Sequence, residues 1–116
     1  MKTYLAVFTG HPDSMAAWDA LSGQERKQRE AQGMAAWKQW ASDNAAVISD
    51  MGGPLSRTTR VTASGTSEVR NNLAAFTIVR ADSREAAARL FLDHPHFTIF
   101  PGDGVEVMEV LPVPGG

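Results

Sequence analysis

The last third of the chain constrains the fold more than any other part, because a strand, a helix, a corner and a strand follow one another there. Leu73 to Ala81 is apolar in both alternating sets of positions, which is typical of a strand covered on both faces. A helix is predicted over Asp82 to Asp93, with its first residue as the N-cap. Pro95 disfavours a helical conformation at His94, so the helix should end there. Val105 to Leu111 is predicted to be the final strand.

The first part of the chain predicts one more buried strand and a long helix. Thr3 to Phe8 is apolar at nearly every position, as in a central strand. Ser22 and Glu25 have the spacing of a capping box, in which each side chain satisfies a free amide at a helix start. The helix should run to about Asp43. Its second half repeats apolar residues every three or four positions, which predicts a buried face: Met34, Trp37, Trp40 and Ala41.

The middle of the chain is rich in turn signals. Ala46 to Asp50 is predicted to be a strand, and Gly52-Gly53-Pro54 a turn. Arg57 to Ala63 alternates polar and β-branched residues like an exposed strand, and residues 67–72 are predicted to be a loop. The complete order is β-α-β-β-α-β, the split βαβ arrangement of ferredoxin-like folds. In this α+β class both helices cover one face of an antiparallel sheet.

The apolar pattern of the strands predicts a partner for the sheet. Two helices cover only one face, yet the strands over 3–8, 73–81 and 105–111 place apolar residues on both faces. Leaving such a face in water costs about 25 cal/mol per Å² of apolar surface. The sequence therefore predicts a homodimer with two sheets face to face, a dimeric α+β barrel.

Composition limits the number of domains and the kinds of partner. With 116 residues and 43% hydrophobic content, the chain suits one domain, predicted over 1–112, followed by a frayed tail at 113–116. The net charge is -2, and the charges are interspersed, which disfavours nucleic acid and anionic membranes as partners. The absence of cysteine excludes disulfides and thiolate chemistry. No stretch has the length of a membrane span or a signal-peptide core, so a cytoplasmic location is expected.

Several short motifs, taken in order, resemble the YCII-related family over about residues 2 to 112. They are Tyr4-Leu5-Ala6-Val7-Phe8, the W-x-x-W of Trp37 to Trp40, Asp50-Met51-Gly52-Gly53-Pro54-Leu55, Phe76 to Ser83, His94-Pro95-His96-Phe97 and Gly104-Val105-Glu106-Val107. The resemblance implies a dimeric ferredoxin-like fold, in a family whose members mostly lack an established activity. Some members have been proposed as enzymes because a helix histidine pairs with an acid. The first long helix here has no histidine, since Ala35, Ala36 and Trp37 occupy that region.

The His94-Pro95-His96 corner is the first candidate site. Proline holds the backbone extended between two imidazoles, and histidine suits both acid-base work and metal binding near neutral pH. The alternative is structural: the histidines cap carbonyls or pack at a helix stop. Two histidines lack the ligand count of a metal site, so no metal is predicted. We retain His94 as a candidate catalytic residue and His96 as a candidate ligand contact.

The long helix and the ends of the strands supply the remaining candidates. Trp37 and Trp40 lie on one helix face and could line an apolar pocket, with Trp40 as the expected wall, although packing in the core explains the same spacing. Asp50, at a strand end before glycines, could act as a base or simply form a turn. His11 follows the first strand and is a further candidate ligand contact near Asp50.

Two classes of function remain open from the sequence. The first is a dimeric protein that binds, and as an enzyme would transform, a small apolar or aromatic metabolite between helix and sheet without a cofactor. Its catalytic form is suggested by similarity to dimeric barrel lactone isomerases and cofactor-independent monooxygenases, with Asp50 or His94 moving a proton. The alternative is a non-catalytic accessory domain that only assembles. No glycine-rich phosphate loop, aromatic RNA-binding motif or nucleophile elbow is present.

Overall fold

The computed structural model describes residues 1–115 as an α+β fold. Its elements in chain order are β1 (Lys2–Thr9), α1 (Pro12–Asp19), α2 (Gly23–Asp43), β2 (Ile48–Pro54), β3 (Thr58–Thr62), β4 (Gly65–Val69), β5 (Leu73–Ala81), α3 (Arg84–Arg89), α4 (Pro95–Thr98) and β6 (Gly104–Glu109). Four of the strands form an antiparallel sheet in the order β2-β5-β1-β6, and β3 pairs only with β4. The predicted α+β class with an antiparallel sheet is confirmed.

One face of the sheet carries the core. In β1, Tyr4, Ala6 and Phe8 are fully buried, whereas the residues between them are only half-buried. This period of two follows from the pleat, which sends successive side chains to opposite faces. The helices α2 and α3 cover the buried face with apolar residues, and the cluster comprises Tyr4, Ala6, Phe8, Val79, Ala81, Ala87 and Phe91 with Trp37, Trp40 and Leu90 packed against it.

Helix α2 begins and ends where its capping residues predict. The Ser22 hydroxyl oxygen accepts the Glu25 N–H at 3.1 Å, and the same hydroxyl donates to the Glu25 carboxylate at 3.0 Å. Asn44 ends the helix. The expected burial of Met34 is wrong, since its side chain is 51% exposed; the fully buried residue of the helix is its neighbour Gly33.

Strand β2 corrects the predicted turn at Gly52-Gly53-Pro54. The strand continues to Pro54, and its register against β5 shifts twice, between Ile48 and Asp50 and between Asp50 and Gly53. Gly52 has φ +64, and a Cβ there would overlap the Phe76 carbonyl group of β5. The positive φ of Gly52 thus belongs to an irregularity inside a paired strand and does not reverse the direction of the chain.

Residues 58–69 form a hairpin rather than a strand and a loop. The predicted exposed strand is confirmed as β3, but 67–72, predicted to be a loop, contains the second half of β4. Polar residues cover both sides of β4, so the sequence carries no apolar alternation, and backbone pairing alone defines the strand. We call residues 58–69 the hairpin arm; it packs mainly against itself and most of its residues are exposed.

The predicted helix over 82–93 is shorter and starts one residue later than expected. Ser83, not Asp82, is the N-cap, because its hydroxyl oxygen accepts the Ala86 N–H at 3.1 Å. After α3 the chain turns through Asp93 at φ 56 and enters the short helix α4. Proline occupies the first position of α4, where its missing N–H costs nothing.

Between the end of β6 and residue 115, the chain forms no further helix or strand. Val110, Leu111 and Val113 are exposed. The predicted tail at 113–116 ends on a residue outside the described range 1–115. Over that range, no helix is both long enough and apolar enough to span a bilayer.

Candidate functional site

An apolar cavity of about 510 Å³ lies between α2 and the β2 edge of the sheet. Trp37 and Met34 supply the helix wall, and the opposite wall comes from the irregular part of β2 and from β5. His96 and Phe100, which follow α3, close the inner end, and Lys38 brings one positive charge to the lining. A mostly apolar concave site with few polar groups is the usual form of a small-molecule pocket.

His96 supplies the imidazole of this cavity. Its Nε2 lies 2.7 Å from the carbonyl oxygen of Thr9, and because a carbonyl only accepts, Nε2 carries the proton of the neutral ring. The Nδ1 atom is then a hydrogen-bond acceptor. Burial lowers the pKa of His96, a shift that the hydrogen bond to Thr9 and the Asp103 carboxylate partly oppose. The ring is therefore neutral at pH 7, with a lone pair on Nδ1.

Gly102 makes room for that ring. A Cβ at position 102 would overlap the imidazole of His96, so any side chain there would displace it. The Gly102 N–H also donates to the His96 carbonyl oxygen at 2.9 Å. The imidazole is thus held from two directions: by the Thr9 carbonyl oxygen at the end of β1 and by Gly102 in the segment after α4.

His94 is the inner histidine of the corner and is fully buried. Its Nδ1 accepts the backbone N–H of His96 at 3.0 Å, which leaves the proton on Nε2. Among residues 1–115, Nε2 has no hydrogen-bond partner. Aromatic rings surround it instead: the centroids of Trp37 and Trp40 lie 4.5 and 4.7 Å from that of His94, and that of Phe8 lies 5.0 Å away.

The surroundings of His94 strongly favour its neutral form. Burial, with a smaller contribution from His96, lowers the pKa of His94 to about 4. An imidazolium at this position would lose its hydration, and contacts with the neighbouring aromatic rings would be its only compensation. His94 has no exposed surface, so it does not contact a bound molecule directly. Its influence on such a molecule is exerted through His96.

Trp37 and Trp40 have different surroundings. Trp37 lines the cavity and packs against Phe8 at a centroid distance of 5.2 Å. Trp40, the wall that the sequence favoured, lies outside the lining, and its indole N–H donates to the Leu90 carbonyl oxygen at 2.7 Å. That bond joins α2 to the end of α3 and satisfies one of the free carbonyls there.

Asp50 and His11 have local hydrogen-bond partners and lie outside the cavity lining. Asp50 is exposed, and its carboxylate accepts the Gly52 N–H at 2.8 Å. His11 is the N-cap of α1, where its Nδ1 accepts the Asp13 N–H at 3.1 Å. Of the six candidates from the sequence, the structure brings Trp37 and His96 together in the cavity lining, with His94 directly behind them.

Phe100 and Thr77 are among the lining residues that the sequence reasoning did not propose as part of a site. Thr77 is buried in β5, and its hydroxyl donates to the Met51 carbonyl oxygen at 2.9 Å across the irregular part of β2. Nothing in a strand pattern distinguishes this threonine from others. Phe100 had an indirect signal in Gly33, a glycine in mid-helix, which often marks a close approach.

A wider groove of about 820 Å³ lies between the base of the hairpin arm and α1. Its walls are largely exposed and about equally polar and apolar, with Arg57, Arg70 and Asn71 among the polar residues. It lacks the buried titratable group that lines the first cavity. Within residues 1–115, no three His, Asp or Glu side chains are grouped as a metal ion would require.

The comparisons with known proteins support the fold. A solved structure of 5-chloro-2-hydroxyhydroquinone dehydrochlorinase (TftG) from Burkholderia phenoliruptrix AC1100, in complex with 2,5-dihydroxybenzoquinone, matches with a TM-score of 0.54 and 17% identity. The match covers 91% of this chain and 90% of that one. No family model and no curated protein matches the sequence. The structural match supports the α+β fold class, and membership of the YCII-related family stays a prediction.

Proposed function

We propose that the chain binds a small aromatic molecule in the cavity between α2 and the β2 edge. The observation that carries this proposal is the pairing of an apolar wall with one fixed hydrogen-bond acceptor: Trp37 beside His96, whose Nε2–H is held by Thr9. A flat ring packs on the indole, and a hydroxyl group on that ring donates to Nδ1 of His96. The 2,5-dihydroxybenzoquinone of the TftG complex is likewise a flat six-membered ring that carries hydroxyl groups, although it is a quinone and not aromatic.

Proton transfer is the chemistry that such a site would add to binding. We assign the contact with the reacting hydroxyl to His96, because His94 is fully enclosed and Asp50 lies outside the lining. His94 supports that role by accepting a hydrogen bond from the backbone N–H of His96. The earlier assignment of Asp50 and His94 to catalysis stays a prediction. The proposal requires no metal or organic cofactor.

The binding test uses 2,5-dihydroxybenzoquinone and hydroquinone as probes, followed by the quenching of tryptophan fluorescence and by calorimetry. His96→Gln keeps a donor for the Thr9 carbonyl but loses the Nδ1 acceptor, so affinity should fall about tenfold, the value of roughly one hydrogen bond. His11→Gln is the matched control and should bind as the parent does. Absence of binding to the parent protein, or equal affinity in His96→Gln, would contradict the proposal.

We also propose that the protein is a homodimer with two sheets packed face to face. The second face of the sheet supports this arrangement. The side chains of Leu5 and Val7 in β1 and Ile78 in β5 point away from the helices and stay only half-buried, and Met108 in β6 is 44% exposed. A paired sheet would cover this apolar surface.

The second candidate function is that of an accessory domain whose contacts serve assembly alone. The hairpin arm favours it, because an extended ribbon with exposed residues such as Val61 presents backbone and side chains to a partner. The two functions differ in one measurable respect: an assembly domain has no use for the acceptor on His96. The probe titration therefore distinguishes them.

A further inference from the structure

A second cavity lies behind the first and shares its inner wall. It has a volume of about 280 Å³ and is lined by Met15 and Trp18 of α1, by Glu30, and by the segment Pro101-Gly102. His96 and Phe100 line both cavities. The imidazole proposed to bind the ligand therefore stands at the boundary between two chambers.

The ring of Phe100 is the partition at that boundary. Its centroid lies 6.0 Å from that of Trp37, in the wall of the larger chamber, and 5.9 Å from that of Trp18, in the wall of the smaller. The backbone beneath it is anchored, since the Phe100 N–H donates to the Pro95 carbonyl oxygen at 2.8 Å. The side chain is half-buried, so it fills the gap without being locked into the core.

Gly33 provides the space in which the ring sits. A Cβ at position 33 would overlap the Cε2 and Cζ atoms of Phe100. Gly33 is buried in the middle of α2, where glycine costs a helix about 1 kcal/mol relative to alanine. The ring of Phe100 occupies the space that a side chain at position 33 would need, which explains why glycine occurs there.

We propose that Phe100, seated against Gly33, sets the length of the ligand that the pocket accepts. This inference rests on the proposed binding function. With the ring in place, a hydroxyarene anchored at His96 is confined to the larger chamber. With the ring removed, the same molecule can extend past His96 toward Trp18.

The first test measures by tryptophan quenching the affinity of a series of probes, 2-methylphenol to 2-hexylphenol, whose alkyl chain leaves the ring beside the hydroxyl group and therefore beside His96. Each buried methylene should strengthen binding about fourfold until the chain reaches Phe100, and the gain should then stop. Phe100→Ala should move that cut-off outward by two or more methylenes, so that 2-hexylphenol binds at least tenfold tighter than to the parent. If the alanine variant does not fold, Phe100→Leu, which is shorter than phenylalanine but keeps apolar packing, should move the cut-off outward by a smaller amount.

Gly33→Ala gives the complementary result. The added methyl group displaces the ring into the chambers, so the cut-off should move to shorter chains and 2-butylphenol should bind at least fivefold more weakly. The double variant Gly33→Ala/Phe100→Ala should lose this defect, because the methyl group then has nothing to displace. An identical cut-off in the parent and in Phe100→Ala, or a defect that persists in the double variant, would overturn the inference.

A second experiment is independent of any phenol and separates the two proposals. Crystals of the parent and of Phe100→Ala are placed under xenon, which occupies apolar cavities. Separate xenon sites in the parent and a continuous run in the variant support the partition even if no phenol binds, in which case only the binding proposal fails. Continuous density in the parent, or separate sites in both proteins, refutes the partition.

Discussion

His94 shows how a single residue can connect the core with the proposed site. It fills a space among the aromatic side chains of Phe8, Trp37, Trp40 and Phe91, and its Nδ1 also accepts the backbone N–H of His96. An apolar side chain would fill the space but leave that N–H without a partner. A neutral imidazole does both, at the cost of one N–H donor without a hydrogen bond.

The stability of the fold should therefore depend on pH through His94. The pKa of His94 is about 4 in the folded protein, whereas the ordinary pKa of a histidine is 6.5, so the unfolded chain takes up a proton first as the pH falls. The contribution to stability is complete above pH 6.5 and is lost between pH 6.5 and about 4, by up to about 3 kcal/mol. Urea unfolding at pH 7.5, 6, 5 and 4.5 measures it.

The matched variant is His94→Asn, whose side-chain oxygen can still accept the His96 N–H but cannot be protonated. It should be less stable than the parent at pH 7.5, because it leaves part of the aromatic space empty. The difference between the two proteins should shrink as the pH falls. If both lost stability in parallel down to pH 4.5, the titration would belong to other groups.

At the scale of elements, the hairpin arm differs from the rest of the molecule. It packs mainly against itself, and an isolated two-stranded ribbon is marginal in water. In a free monomer the amides of β3 and β4 should exchange with deuterium at least 100-fold faster than those of β1 and β5, which are central in the sheet. Hydrogen exchange followed by mass spectrometry measures this, and slow exchange in the arm would show that something covers it.

The elements that the sequence predicted best carry their own signals. Leu73 to Ala81 matches β5 at both ends because its apolar run is long and is bounded by polar residues. Ser22 marked the start of α2 through a hydrogen bond between residues three apart. In contrast, β4 and the irregular part of β2 depend on pairing with other strands, which local composition does not record.

The same distinction holds within the candidate site. Trp37 and His96 were found because aromatic and imidazole side chains are rare and chemically distinctive. Their roles were harder to assign: only the three-dimensional arrangement shows that Trp40 bonds to Leu90 and that Phe100 fills the space at Gly33. Sequence spacing identifies which residues share a helix face, whereas the partner across the interface is set by packing.

At the scale of the whole molecule, the proposed dimer follows from the sheet face that the helices do not cover. The radius of gyration is 16.1 Å, larger than the roughly 13 Å of a compact domain of this length, as expected for a flat subunit with a projecting arm. A stable interface buries about 800 Å² on each partner. The apolar face around Ile78 and the hairpin arm are the surfaces available for it.

Ile78→Glu tests the dimer at the centre of that face, between the neighbouring strands β1 and β2. A carboxylate there would be buried in the interface without a partner, so the dimer should dissociate at least 100-fold more readily while the helix-covered core stays intact. Native mass spectrometry and light scattering should show twice the chain mass for the parent and one chain for the variant. Leu92→Glu is the control, because Leu92 is 70% exposed and lies just after α3, away from the sheet strands.

A parent that is monomeric at micromolar concentration would refute the paired sheets, since the half-buried apolar face would then be stable in water. Any extra mass retained by the parent dimer would also identify the class of molecule held beside His96.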